Sequence, residues 1–250
     1  MSSNTDFLLA VEDLTVSFDG FKAIDGLNFY MDEKELRVVI GPNGAGKTTL
    51  LDLICGKTKA TNGSIKFRGK ELTRLPEHRI VWEGVGRKFQ TPSIYDSLTV
   101  QDNLEVSYPR GRGVWGALAF KRDAALQEKT REVAESVLLQ DALDLEAGQL
   151  SHGQKQWLEI GMLLMQRPRL LLVDEPVAGM TEQEMERTGE LLTSLAGKQS
   201  VVVVEHDMGF VRSIARQVTV LHQGSVLAEG SMDQVSNDPK VIEVYLGQEA

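Results

Sequence analysis

Cysteine, long apolar runs and positive charge are all scarce in this chain. Its 250 residues include one cysteine, Cys55, so no internal disulfide can form. No apolar run approaches the roughly 20 residues that a membrane-spanning helix needs. Residues 1–6 lack the basic segment followed by an apolar one that marks a secretory signal. We therefore expect a protein of the reducing cytoplasm.

The shortage of positive charge limits the partners that the chain can attract. Lys and Arg number 27 against 36 Asp and Glu, which gives a formal net charge of −9 and a pI of about 5.1. This balance argues against broad electrostatic capture of nucleic acid or anionic lipid. A hydrophobic content of 42% and a charged content of 25% are ordinary for a folded protein.

Hydrophobic patterning predicts an α/β fold. Alternation predicts a strand over 8–17, with 23–30 as its antiparallel partner. Unbroken apolar runs, typical of strands buried on both faces, occupy 36–40, 170–173 and 201–204. Helical spacing predicts helices over 48–55, 99–106, 122–139, 151–166, 182–195 and 241–246. Further strands are predicted over 64–67, 218–221 and 225–229.

The middle of the chain has a different pattern from the rest. Residues 92–148 are mainly helical in period, with a Gly-rich break over 108–116, and they predict a helical insertion in an α/β core. We expect one domain over 1–250. In it, 1–91 and 149–250 form the catalytic core with its β subdomain, and 92–148 form the helical subdomain.

A phosphate-binding loop is predicted between the strand 36–40 and the helix 48–55. The match to G-x-x-x-x-G-K-[ST] comprises Gly41, Pro42, Asn43, Gly44, Ala45, Gly46, Lys47 and Thr48. Glycines let the backbone aim N–H groups at phosphate oxygens, and the helix N-terminus adds partial positive charge. We expect these residues and Thr49 to bind the nucleotide, with Lys47 on the β- and γ-phosphates and Thr48 on Mg²⁺.

Paired carboxylates close a second buried strand. Asp174 can orient the shell of a Mg²⁺ ion, as in other P-loop nucleotidases. Glu175 can orient or deprotonate an attacking water. The alternative is a solvated acidic loop, which is common at strand ends, but the P-loop context favours the catalytic interpretation.

Two further polar residues are candidates by position. The amide oxygen of Gln90 can ligate Mg²⁺ or water, although most glutamines are merely exposed. His206 follows the buried strand 201–204, where an imidazole could contact a γ-phosphate. A lone histidine is more often structural, but ligands of open α/β sheets lie at this edge.

The segment Leu-Ser-His-Gly-Gln at 150–154 has two compatible interpretations. Ser151 and Gln154 form a capping box, which is usually structural. A capped helix N-terminus also attracts anions. Ser151 can therefore cap the helix in the free chain and meet phosphate in a dimer.

Taken together, these motifs resemble the nucleotide-binding subunits of ABC ATPases over nearly the whole chain. Residues 41–48 look like Walker A, 170–174 like Walker B and 150–154 like the family signature, usually Leu-Ser-Gly-Gly-Gln. The resemblance implies an α/β fold: a P-loop (RecA-like) core with an N-terminal antiparallel β subdomain and an inserted α-helical subdomain.

The resemblance also assigns roles to single residues. Glu175 matches the catalytic glutamate, Gln90 the Q-loop glutamine and His206 the H-loop histidine. Phe18 falls where the family stacks an aromatic ring on adenine, with Phe21 as second candidate. The implied ligands are ATP and Mg²⁺, the latter held by Thr48, Gln90 and Asp174.

Two positions depart from the family pattern. His152 replaces the first signature glycine, and its Cβ restricts φ and can crowd a phosphate. Since Gly153 remains, we expect the site still to work. Residues 178–181, at the D-loop position, lack the usual aspartate.

Finer features resemble the importer branch for branched-chain amino acids and urea. They are Gly-Val-Gly-Arg-Lys-Phe-Gln at 84–90, Val-Glu-His-Asp-Met at 204–208, and the closing segment 238–247. Residues 157–164 and 174–181 look most similar to a urea importer ATPase subunit.

The resemblance implies an ATPase that drives import from the cytoplasmic face of the inner (plasma) membrane. Two identical or related subunits close head to tail, with each ATP between Walker A of one copy and Ser151, Gly153 and Gln154 of the other. Residues 91–98 dock a membrane permease. The alternatives are a soluble ABC ATPase acting on DNA or ribosomes and a nucleotide sensor without turnover. The acidic composition and the lack of a tandem cassette favour transport without a nucleic-acid partner.

Overall fold

The computed structural model describes residues 7–89, 93–109 and 123–246, with the side chains of 245 and 246 excepted. Gln90, together with Thr91 and Pro92 of the predicted docking segment, lies outside these residues. The part of the predicted Gly-rich break over 110–116 lies outside them as well.

The N-terminal third of the chain forms an antiparallel sheet. Its strands are β1 (Leu9–Phe18), β2 (Phe21–Met31), β4 (Asn62–Phe67) and β5 (Lys70–Glu71), in the order β2-β1-β4-β5. Leu9 pairs with Met31 at one end of the first hairpin and Phe18 with Phe21 at the other. The predicted hairpin is confirmed, and it leaves Phe18 and Phe21 at the tip.

A second, six-stranded sheet carries the remaining strands. They are β3 (Leu36–Ile40), β6 (Val85–Lys88), β7 (Leu170–Asp174), β8 (Ser200–Val204), β9 (Gln217–His222) and β10 (Ser225–Gly230), in the order β10-β9-β3-β8-β7-β6. All neighbours are parallel except β10, which is antiparallel to β9. Every residue of β3, β7 and β8 is buried, as the apolar runs predict.

Helices cover the parallel sheet. They are α1 (Lys47–Ile54), α2 (Glu77–Glu83), α3 (Val100–Val106), α4 (Ala124–Ser136), α5 (His152–Met165), α6 (Glu182–Leu195), α7 (Met208–Ile214), α8 (Met232–Ser236) and α9 (Pro239–Leu246). The signature helix α5 packs against α3, α4 and β6, and so joins the inserted helices to the sheet. Among the described residues no helix combines the length and apolarity needed to cross a bilayer.

The apolar core divides between the two faces of the parallel sheet, because successive residues of a strand point to opposite sides. Val39 packs with the antiparallel sheet and α1, whereas Val38 and Ile40 pack with the helical layer. Leu172 and Val173 on β7 divide in the same way. This arrangement fixes the carboxyl ends of β3, β7 and β8 side by side at one edge.

Some element boundaries differ from the sequence prediction. The helix predicted over 122–139 begins at Ala124, because the Asp123 side chain caps it by accepting the Leu126 N–H. It ends at Ser136, and Leu138 then adopts a left-handed φ of 60°. The elements β5, α2, β6, α7 and α8 have no counterpart among the predicted elements, since each is too short to show a periodic pattern.

Candidate nucleotide-hydrolysis site

The phosphate loop connects β3 to α1 and packs closely against neighbouring backbone. Gly46 has a φ of 101°, and a Cβ there would lie 2.7 Å from the carbonyl oxygen of Ala23. At Gly41 a Cβ would lie 2.2 Å from the carbonyl oxygen of Leu221. Glycine is therefore required at both positions for the loop to lie between the first hairpin and β9.

The ammonium group of Lys47 is held inside this loop. It donates to the carbonyl oxygens of Gly41 at 2.6 Å and Pro42 at 3.0 Å. Burial lowers the pKa of Lys47, while the charges of Glu175 and Asp174 act in the opposite direction. A phosphate entering the loop would offer Lys47 a charged acceptor, which is stronger than these neutral carbonyls.

Asp174 ends β7 and is 1% exposed. Burial raises its pKa, against the opposing effects of the Arg87 charge and a hydrogen bond from the Thr48 side chain. Its Oδ1 has no hydrogen-bond partner within the described part of the chain. An unpartnered buried carboxylate oxygen beside a hydroxyl fits a hard divalent cation such as Mg²⁺, which prefers oxygen ligands.

Arg87 is a site residue that the sequence analysis does not single out. From β6, its guanidinium contacts the Asp52 carboxylate and the Cys55 Sγ at 3.3 Å, and lies 3.4 Å from Asp174 Oδ2. Its side chain is only 4% exposed. Arg87 therefore fixes Asp174 against α1. The sequence signal that could have identified Arg87 is its charge within the short segment just before Gln90.

Glu175 and His206 meet at the ends of the neighbouring parallel strands β7 and β8. The Glu175 N–H donates to the carbonyl oxygen of Val204 at 2.9 Å. His206 Nδ1 lies 3.6 Å from Glu175 Oε1, and the two side chains are 64% and 30% exposed. The buried Glu205 accepts the backbone N–H groups of Val177 and His206 beneath them. A base and an imidazole are therefore brought together with access to solvent.

A buried lysine and glutamate link β6 to the signature helix α5. Lys88 is fully buried, donates to the carbonyl oxygen of Phe89 at 2.9 Å and lies 4.0 Å from Glu159 Oε2 on α5. Burial raises the pKa of Glu159 to about 7, and Lys88 and the backbone N–H groups of Ser93 and Phe89 oppose this rise. No local sequence pattern indicates this pair either.

The signature segment caps α5 as predicted. Ser151 Oγ accepts the Gln154 N–H at 3.2 Å, and Gln154 Oε1 accepts the Ser151 N–H at 2.9 Å. The Ser151 hydroxyl donates to Glu184 Oε1 at 2.7 Å, and His152 Nε2 lies 3.1 Å from the carbonyl oxygen of Ala178. Within one chain these signature residues therefore contact the segment after Glu175 rather than the phosphate loop.

A cavity of about 550 Å³ lies beside the phosphate loop. It is lined by Gly20, Phe21, Lys22, Pro42, Asn43, Gly44, Ala45, His222 and Gln223. Phe21 is 68% exposed, and Phe18, its register partner, is 49% exposed. Both adenine-stacking candidates therefore lie near the loop, and Phe21 is the one that lines the cavity.

Comparison with known families and structures agrees with this geometry. The family model described as ABC transporter matches residues 24–178, more than half of the chain. The model described as branched-chain amino acid ATP-binding cassette transporter matches residues 225–250.

Individual relatives match along almost the whole chain. The chain is 37% identical to the high-affinity branched-chain amino acid transport ATP-binding protein BraF of Pseudomonas aeruginosa, over 96% of this chain and 98% of the relative. It is 35% identical to the probable branched-chain amino acid transport ATP-binding protein LivG of Archaeoglobus fulgidus, over 96% and 95% of the two chains.

Among solved structures, the ADP conformation of an ATP-binding cassette of an ABC transporter superposes with a TM-score of 0.83 at 32% identity, over 96% of this chain and 99% of the other. The predicted fold class is thereby confirmed. Its phosphate loop, its paired carboxylates and these relatives together show that the chain belongs to the ABC transporter family. It is an ATP-hydrolysing cassette of that family.

Proposed function

We propose that this chain is the ATPase subunit of an importer for a small polar solute of the urea or branched-chain amino acid type. The solute crosses the membrane through separate permease subunits. The observation that carries the proposal is the meeting at one sheet edge of the Lys47 loop, the unpartnered Asp174 oxygen and the Glu175–His206 pair.

Each of these side chains has a defined task in hydrolysis. Lys47 exchanges loop carbonyls for the β- and γ-phosphate oxygens of ATP. Thr48, Asp174 and Gln90 would hold Mg²⁺, which would neutralise charge on the phosphates when bound. Glu175 orients the attacking water and accepts its proton, and His206 contacts the γ-phosphate.

A second ATPase subunit completes the site. Ser151, Gly153 and Gln154 begin α5, a helix of 14 residues whose capped N-terminus attracts anions. Within the chain Ser151 donates to Glu184 and not to the phosphate loop, so any ATP that these residues serve belongs to another copy. The assembly is a head-to-tail homodimer or a heterodimer with a related ATPase subunit, with ATP sandwiched between the two subunits.

The permease docks near residues 91–98. A groove of about 160 Å³ is lined in part by Cys55, Val81, Leu163 and Phe89, which precedes this segment closely in the sequence. Trp82 and Tyr95 expose 64% and 54% of their surface in the same region of the sequence. Apolar exposure of this kind is typical of a protein interface. Docking to the permease at this surface would hold the subunit peripherally at the cytoplasmic face of the inner membrane.

The solute itself does not contact this chain. The relatives are named for branched-chain amino acid transport, whereas urea remains a prediction from the resemblance of residues 157–164 and 174–181. The alternative of a soluble ATPase acting on DNA or ribosomes is not favoured, because these relatives are transport proteins.

The decisive experiment is purification of the native complex from membranes, followed by reconstitution of the permeases with this subunit in vesicles. ATP-dependent uptake of labelled leucine or labelled urea should appear with the wild-type chain and disappear with E175Q. Recovery of ribosomes or DNA in place of permeases would refute the proposal. Uptake of leucine alone would reject urea, and uptake of urea alone would reject the branched-chain amino acids.

A further inference from the structure

We propose that the Glu184 carboxylate occupies, in the separate protomer, the anion site at the start of α5, and that the γ-phosphate of the partner's ATP must displace it. Glu184 then acts as an internal competitor that sets how much ATP is needed to close the dimer. This inference rests on the proposed role of Ser151 and Gly153 in binding the partner's nucleotide.

The geometry shows a carboxylate bound where a phosphate is expected. Glu184 Oε1 accepts the Ser151 hydroxyl at 2.7 Å, and this bond, more than the nearby Gly153 backbone, lowers the pKa of Glu184. A Cβ on Gly153 would lie only 2.6 Å from Oε1. The carboxylate therefore lies directly over the first turn of α5 and uses the donors that the sandwich arrangement assigns to phosphate.

The second oxygen of the carboxylate has a separate task. Glu184 Oε2 accepts the Thr181 N–H and the Thr181 hydroxyl, both at 3.0 Å, and so completes the capping box of α6. Release of Ser151 and Gly153 leaves these bonds intact. Glu184 can therefore break its hydrogen bonds to the start of α5 without uncapping α6. A carboxylate that phosphate displaces must be able to do this.

His152 places the two segments within reach of each other. Its Nε2 lies 3.1 Å from the carbonyl oxygen of Ala178, which precedes α6 by a few residues. Glycine, the usual residue at this signature position, has no side chain for such a contact. His152 thus holds the start of α5 close to the segment that carries Glu184.

The test is the ATP concentration that gives half-maximal dimer. Light scattering should be recorded for E175Q, E175Q/E184Q and E175Q/E182Q at increasing ATP. The E184Q change preserves the capping box, which accepts either Glu or Gln at its third helical position. Glu182 is exposed in the same first turn, so E182Q matches the loss of one negative charge.

We expect E184Q to lower the half-maximal ATP concentration on the order of three- to ten-fold relative to E182Q, since it weakens a charge-assisted bond in the open state. Without ATP, hydrogen exchange of the Gly153 amide should also become faster in E184Q. Thermal unfolding checks that both variants remain folded.

Each other result has a defined meaning. If E175Q dimerises with ATP but E184Q shifts the ATP requirement no more than E182Q, or raises it, the competitor role of Glu184 is refuted while the sandwich stands. If E175Q itself forms no ATP-dependent dimer, the proposed sandwich fails and the inference fails with it.

Discussion

His206 Nδ1 lies 3.6 Å from Glu175 Oε1, although the two residues leave different strands of the parallel sheet. The contact exists because β7 and β8 are parallel neighbours, with Asp174 paired to Val204 in the last register position. It places an imidazole beside the carboxylate that we expect to activate water.

If Glu175 and His206 act as one unit, the losses of turnover caused by replacing each of them should not be additive. E175Q should reduce ATP turnover on the order of 100- to 10,000-fold, the usual contribution of a general base, while ATP binding is retained. E175Q/H206A should be no slower than E175Q alone. Phosphate release and nucleotide titration measure both quantities. Full turnover by E175Q would reject Glu175 as the base.

Lys47 is expected to carry the phosphate affinity of the loop. K47A removes the ammonium that now donates to Gly41 and Pro42, and ATP affinity should fall on the order of 10- to 100-fold through the lost charge-assisted bonds. K198A, at an exposed position, is the control. Equal ATP affinity for K47A and the wild type, by calorimetry, would contradict the phosphate-loop assignment.

The cavity beside the loop favours Phe21 over Phe18 as the adenine platform. We expect F21A to weaken ATP binding on the order of ten-fold through lost stacking, and F18A to weaken it less. The two are partners at one hairpin tip, so each variant controls for damage to the hairpin. A larger effect of F18A would support the sequence-based assignment instead.

Glu159 should make stability depend on pH. Its pKa is raised to about 7 from 4.5, so the folded state keeps a proton that the unfolded state loses between these values. The free energy of unfolding should therefore fall as pH rises from about 4.5 to 7 and then level off, by an amount on the order of 3 kcal/mol.

E159Q should remove this fall, and E190Q, which alters an exposed glutamate on α6, should keep it. Urea denaturation at pH 5 and pH 8 measures the difference. Parallel pH profiles for E159Q and the wild type would show that Glu159 is charged throughout this range in the folded protein.

The phosphate loop, the buried strands and the Ser151 cap were predictable because their signals are local. A glycine pattern, an apolar run or a capping box is complete within a few residues. Arg87, Lys88 and Glu184 are different. Their partners Asp174, Glu159 and Ser151 come from distant elements, so only the folded sheet brings them together.

Helix α5 has a mechanical consequence for coupling. Its 14 residues span about 21 Å. Trp157 donates to the Thr188 hydroxyl at 2.8 Å, and Glu159 Oε1 accepts the Ser93 N–H at 3.4 Å. If the permease docks at the segment around Ser93 as proposed, a displacement of that segment would pass along helix α5 to Ser151 and, through Thr188, to α6. Rotation of helix α5 would let the position of the permease control the geometry of the nucleotide interface without any change in the phosphate loop.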